Sequence, residues 1–193
     1  MENRPHTCPP RGFTLLEMMV TVAAVGILLA IGVPSFRYVA NANRIAAEAN
    51  NLLGDLQFAR SEAIKEGQTV SVCVSSDVNT VTGTTKPTCT PVGTVTTWAT
   101  GWVVFSDVNG NGTIDNADIV LRKSNQFSSK DTLVPTGNRG SISFNREGFA
   151  AGLTGTQYFT LHAPTAGNDW TRCVMVNIVG MTSVIKYDGA NCT

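Results

Sequence analysis

Arg11-Gly12-Phe13-Thr14-Leu15-Leu16-Glu17 is the stretch whose reading decides the fold. A short charged leader ends at Gly12, and Phe13 opens an apolar run that reaches Phe36 with Glu17 as its one charged side chain. As a helix, these 24 residues would measure about 36 Å, against roughly 30 Å of bilayer hydrocarbon. The run therefore reads as a membrane helix. A carboxylate near a bilayer centre costs on the order of 2.5–3.5 kcal/mol, less near the edge, so Glu17 calls for a partner. Basic residues lie on both sides of the span, Arg4 and Arg11 before it and Arg37 and Arg44 after it, and their bias does not orient it.

Beyond the apolar run the helical pattern continues with a different character. Ile45, Ala49, Leu52, Leu53, Leu56, Ala59, Ala63 and Ile64 recur at spacings of three and four, with charges such as Glu48, Asp55, Arg60 and Lys65 between them. That is an amphipathic helix laid on a domain. Gly67 is the expected C-cap. The spacing thus predicts one helix from Phe13 to Glu66.

After Gly67 the period changes to two. Thr69–Val74 alternates as a half-buried strand does, and further strands are expected at Gly101–Phe105, Ile119–Lys123, Ser141–Asn145, Gln157–His162, Arg172–Ile178 and Ser183–Tyr187. The Thr-rich stretch between Ser75 and Thr97 reads as a surface excursion without chemistry. The expected class is α+β: a long N-terminal helix on an antiparallel sheet or sandwich.

Charge excludes little but points nowhere: 14 basic and 14 acidic residues cancel, so nothing global draws nucleic acid or an anionic surface. Five cysteines are present, of which Cys8 lies in the leader. The remaining Cys73, Cys89, Cys173 and Cys192 suit two disulfides in an oxidising compartment. Three pairings are open, and Cys73–Cys89 with Cys173–Cys192 is favoured because each pair brackets one local loop.

The Gly12-Phe13 join with Glu17 five residues in resembles the N-terminus of type IV pilins and of type II secretion pseudopilins. The resemblance implies that a prepilin peptidase cuts after Gly12 and methylates the new amino terminus at Phe13. A secretory signal would be cut after its apolar region, not before it. It further implies a leader at 1–12, a transmembrane and filament-core helix at 13–36, an amphipathic helix at 37–66 and a periplasmic head at 67–193. Pilins similarly carry a proline at the depth of Pro34, which lacks the helical N–H and should kink or loosen the helix. In such proteins the glutamate at the place of Glu17 is thought to pair with the α-amino group of an adjacent subunit, here that of Phe13, and so to set axial register.

Residues Asn51-Leu52-Leu53, Phe58–Lys65 and Val70-Ser71-Val72-Cys73 narrow the resemblance to minor pilins and pseudopilins of the GspH/FimT type. What that implies is a structural subunit near the tip that helps initiate or cap a fibre. Its partners would be other pilins or pseudopilins, the peptidase, an inner-membrane assembly platform and membrane lipid. Some FimT-type pilins instead bind DNA through a Gly-Arg-x-Arg turn. The matching turn here, Gly180-Met181-Thr182-Ser183, lacks both arginines, while Arg139, Arg146, Arg172 and Lys186 are scattered.

One further motif invites chemistry. Asp107, Asn109, Asn111 and Gly112 match the first, third, fifth and sixth positions of a calcium loop, with Thr113, Asp115 and Asp118 at the seventh, ninth and twelfth. The flanks Trp102–Phe105 and Ile119–Leu121 read as strands, and Asp118 is shorter than the usual glutamate. A hairpin loop that needs no ion is the other reading. For hydrolytic chemistry the mature chain offers one histidine, His162, with neither a nucleophile elbow nor a phosphate loop, so no enzyme is expected.

Overall fold

The computed structural model describes residues 12–83, 85–91, 93–94, 97–127, 130–164, 170–189 and 192. The leader before Gly12, with Cys8, lies outside them. Two compact units divide between Ala40 and Asn41.

Helix α1 covers Leu15–Glu66 and continues through Pro34. In the first unit its large apolar side chains, from Leu15 to Val39, are exposed. An all-round apolar helix surface of this length is what a bilayer or a bundle of like helices would cover. Within the second unit the helix buries a single stripe, Ile45, Glu48, Ala49, Leu52, Leu56, Ala59 and Ala63. The steps of three and four between them follow the 3.6-residue period. Gly67 ends the helix at φ 69°, and its N–H donates to Ala63 O at 3.0 Å. This is a left-handed C-cap that glycine adopts without steric cost.

Among the described residues nine strands follow: β1 Val70–Val74, β2 Trp102–Ser106, β3 Ile119–Ser124, β4 Thr132–Pro135, β5 Ser141–Phe144, β6 Ala150–Ala151, β7 Gln157–His162, β8 Arg172–Val176 and β9 Thr182–Lys186. They make two antiparallel sheets, ordered β3-β2-β1-β5-β6 and β4-β7-β8-β9. Strands β4 and β6 were not among those expected. Val134 and Pro135 gave β4 no clear alternation, and β6 has only two residues. Expected to extend to Ile178, β8 ends at Val176, because Asn177 and Gly180 turn the chain there.

Pleating divides β1 and β2 between two cores. Val70, Val72, Val74, Trp102 and Val104 join the stripe of α1, together with Leu133, Phe144, Phe159 and Val174 from both sheets. Cys73, Val103 and Phe105 belong to a smaller cluster with Val78. So the stretch between Ser75 and Thr97 is more than a surface excursion: through Val78 and Cys89 it covers that cluster. Trp98, also buried, donates its indole N–H to Arg139 O at 2.8 Å and meets the Phe159 ring edge-on.

Candidate functional site

The first candidate lies at the start of α1. Gly12, Phe13 and Thr14 precede the helix and are exposed. Thr14 is its N-cap: its carbonyl accepts the Met18 N–H at 3.2 Å, and its Oγ1 accepts the Glu17 N–H at 3.2 Å. Thr14-Leu15-Leu16-Glu17 is the sequence form of a capping box, a signal legible in the chain but not drawn from it. Glu17 therefore stands in the first helical turn, where a negative charge faces the positive end of the helix dipole. Within the apolar run, Thr21 satisfies its hydroxyl internally by donating to Met18 O at 2.9 Å. The apolar stretch is long enough to cross a membrane.

The Asp107–Asp118 loop is the second candidate. It joins β2 to β3, and both Asp107 and Asp118 are buried. Asp107 accepts the Asn111 N–H at 3.1 Å, the Gly112 N–H at 2.8 Å and the Ser71 hydroxyl at 2.7 Å. Asp118 accepts the Val108 N–H at 3.0 Å and the Asp115 N–H at 2.9 Å. Asn109 donates to Asp115 at 2.7 Å, and Asn111 Oδ1 accepts the Thr113 N–H and hydroxyl, both at 2.8 Å. The oxygens of the calcium motif are thus directed at the loop's own donors. Among the described residues no group of three or more His, Cys, Asp or Glu is arranged to hold a metal ion. A cation nevertheless stands at this loop, the ammonium of Lys86, which donates to the carbonyls of Asp115, Asn116 and Asp118 at 3.1, 3.0 and 2.6 Å. Sequence reasoning missed it, since 21 residues separate Lys86 from Asp107.

The cysteines come together as Cys73–Cys89 and Cys173–Cys192. The first ties β1 to the stretch over the smaller cluster, and the second ties β8 to the C-terminal residues. Beside the first link, Asp77 accepts from the Ser75 hydroxyl at 2.7 Å and from Thr88 N–H and Oγ1 at 3.0 and 2.7 Å. Where α1 joins the head, Arg44 forms a two-pronged pair with Asp131, at 2.7 and 2.9 Å. Further along α1, Asp55 accepts from the Trp102 indole at 2.8 Å and from Arg122 at 3.3 Å, while the Arg122 guanidinium lies 3.6 Å over the Phe58 ring.

His162 contacts Thr171 Oγ1 at 3.2 Å and the Tyr187 ring edge-on, a packing environment. Of the scattered basic residues, Arg139 donates to Gln157 and Arg146 to Glu147, whereas Arg172 and Lys186 face each other in the β8–β9 register. The turn before β9 presents Ile178, Val179 and Met181 to solvent.

A family model described as Type II transport protein GspH matches residues 48–180, and one for the prokaryotic N-terminal methylation motif matches residues 10–33. The chain is similar to Type IV major fimbrial protein FimA of Dichelobacter nodosus, 36% identical over 74 residues, which are 38% of this chain and 42% of that one. It is also similar to Fimbrial protein EcpC of Eikenella corrodens, 45% identical over 53 residues, 27% of this chain and 33% of that one. The chain thus spans less than half the length of these curated relatives. Among solved structures, the type IV minor pilin FimU of Pseudomonas aeruginosa superposes with a TM-score of 0.56 at 18% identity, covering 78% of this chain and 93% of that one. At that identity the likeness is one of fold: a long N-terminal helix on antiparallel sheets.

Proposed function

This chain belongs to the GspH family of type II transport proteins, and from that premise we propose that it is a minor pilin or pseudopilin, a structural subunit that helps initiate or cap a fibre. The N-methylation motif at residues 10–33 and the pilin-like fold support this reading. The observation that carries it is Glu17: a carboxylate within an exposed apolar helix, one turn from Phe13.

In this reading a prepilin peptidase cuts between Gly12 and Phe13 and methylates the Phe13 nitrogen. The chain waits in the inner membrane with its disulfide-linked head in the periplasm, and an assembly platform lifts α1 into the fibre. Leaving the bilayer, the apolar surface of α1 is reburied against the same surface of neighbouring subunits, so the hydrophobic effect holds both states. Glu17 adds direction. Its carboxylate meets the Phe13 ammonium of an adjacent subunit, and in an apolar surrounding a charge left unpaired is far costlier than the same charge in water. One axial offset is thereby favoured over the others. The role is mechanical, with no catalytic step assigned to the head. DNA uptake draws no support from the Gly180–Ser183 turn, whose exposed neighbours are apolar.

The test uses the full chain in its native membrane. Intact mass should show loss of Met1–Gly12 and gain of one methyl group. Glu17→Ala should insert and be processed yet lower fibre yield, or secretion where the fibre drives it, by tenfold or more. Normal assembly of Glu17→Ala would overturn the mechanism.

A further inference from the structure

The chain contains two Asn-Gly steps, Asn109-Gly110 and Asn111-Gly112, side by side in the β2–β3 loop. Glycine carries no side chain to shield its nitrogen, so in such a step that nitrogen can reach the asparagine Cγ and close a succinimide ring; asparagine is a thermolabile residue for this reason. By sequence the two steps are alike. The fold makes them different.

Gly112 is buried, and its N–H donates to the buried Asp107 carboxylate at 2.8 Å. A hydrogen bond to an ionised acceptor is among the strong ones, and the nitrogen cannot attack while it is held there. The Asn111 side chain is held as well, because its Oδ1 accepts the Thr113 N–H and hydroxyl, both at 2.8 Å. At the first step each restraint is weaker. Gly110 is exposed, and its N–H reaches Asp107 O at 3.3 Å, beyond the roughly 2.7–3.2 Å usual for such bonds. A Cβ at Gly110 would meet only Thr69 Oγ1, at 3.9 Å, so the space beside that nitrogen is open. Asn109 Nδ2 donates to Asp115 at 2.7 Å in an exposed position, where water competes for both partners. Asn109 Oδ1 accepts the Asn111 N–H at 3.1 Å. Negative charge gathers on that oxygen as the ring closes, and the donor stabilises it.

We infer that Asn109 is a site of spontaneous deamidation in the folded protein and that the fold protects Asn111 from the same reaction. The Gly110 nitrogen gives up its proton and bonds to Asn109 Cγ; the Cγ–Nδ2 bond breaks, and Nδ2 takes up a proton and leaves as ammonia. Water then opens the ring at Cγ to give aspartate, or at the Asn109 main-chain carbonyl to give isoaspartate, and the ring nitrogen regains its proton. Water is the one co-reactant, and nothing is oxidised or reduced. The product carries a carboxylate where Nδ2 had donated to Asp115, so an attraction becomes a repulsion. Conversion therefore loosens the loop whose carbonyls hold Lys86, as a one-way mark of the age of the subunit. The chemistry is independent of the fibre reading.

The test holds the full chain, purified in detergent with both disulfides intact, in mildly alkaline heavy-oxygen water, beside the same chain reduced and unfolded in urea. The oxygen label marks only conversions that occur during the incubation, and peptide fragmentation assigns them to Asn109 or Asn111. In the folded chain Asn109 should convert at least tenfold faster than Asn111 and give both aspartate and isoaspartate. In urea the two rates should come within threefold of each other. Equal rates in the folded chain, faster conversion at Asn111, or an Asn109 that stays intact while the unfolded chain converts would overturn the inference. A preference that persists undiminished in urea overturns its basis in the fold, and aspartate without isoaspartate overturns the ring closure. The effect of the product is read in Asn109→Asp. Its urea midpoint should fall below that of wild type at low salt and approach it at high salt, as screening weakens the repulsion. An unchanged midpoint at low salt overturns the loosening.

Discussion

Lys86 Nζ lies 2.6 Å from the carbonyl oxygen of Asp118, and it reaches the carbonyls of Asp115 and Asn116 as well. Three backbone oxygens converging on one point make the kind of nest a hard cation occupies, and here the protein supplies the cation on its own side chain.

Lys86→Ala should therefore loosen the β2–β3 loop and destabilise the head by about 1–3 kcal/mol, the scale of hydrogen bonds to a charged group. Urea unfolding of the detergent-solubilised full chain measures this. Exchanging millimolar calcium for chelator should move the wild-type midpoint very little, because Asp107 and Asp118 already accept backbone N–H groups. If an ion held the loop, chelation would lower the midpoint and Lys86→Ala would leave it in place.

Arg44→Met should be costlier than a surface substitution. It leaves the fully buried Asp131 side chain without its guanidinium, whose own side chain is 34% exposed. Breaking a buried pair costs about 3–5 kcal/mol, and the exposure of Arg44 reduces that to roughly 2–4. The hydrogen bond to Asp131, outweighing desolvation, raises the Arg44 pKa further, so the guanidinium stays charged throughout the accessible pH range. A double-mutant cycle with Asp131→Asn should return a coupling well above 1 kcal/mol; a coupling near zero would show that α1 is held to β4 by packing alone.

Acid should weaken the tie beside the Cys73–Cys89 link. Partial burial pushes the Asp77 pKa up, but hydrogen bonds from Ser75 and Thr88 outweigh it and hold the carboxyl below its ordinary value. A carboxylate depressed in the folded state contributes stability that is full above its unfolded pKa of about 3.9 and is lost as pH falls through the lower folded value. Unfolding midpoints of wild type and Asp77→Asn should therefore differ at pH 7 and draw together as pH falls through the lowered folded pKa of Asp77. A constant gap across that window would assign the effect to packing.

The helix and most strands were legible because each rests on local periodicity. The stripe from Ile45 to Ala63 keeps helical spacing, and Gln157–His162 alternates cleanly between buried and half-buried positions. What escaped notice depends on partners distant in sequence. Strand β4 exists because β7 pairs with it, and Ala150–Ala151 because β5 does. Likewise, the reach of Lys86 to Asp118 and of Arg44 to Asp131 has no local signature. Thr14 is different: its capping box stood in the sequence, overshadowed by the reading of Glu17 as an assembly charge.

Thr14 stands on the mature side of the Gly12–Phe13 bond. A peptidase severing that bond would break none of the hydrogen bonds that start α1, since the cap belongs to the part that remains. The anchor can be stored fully folded, and maturation need not reshape it. What such a cut would alter is the electrical state of the helix start: a neutral amide would become an ammonium, adding to the positive end of the dipole, with the Glu17 carboxylate in the adjoining turn as counter-charge. Under the proposed processing, the cut would throw a charge switch on a rod already built.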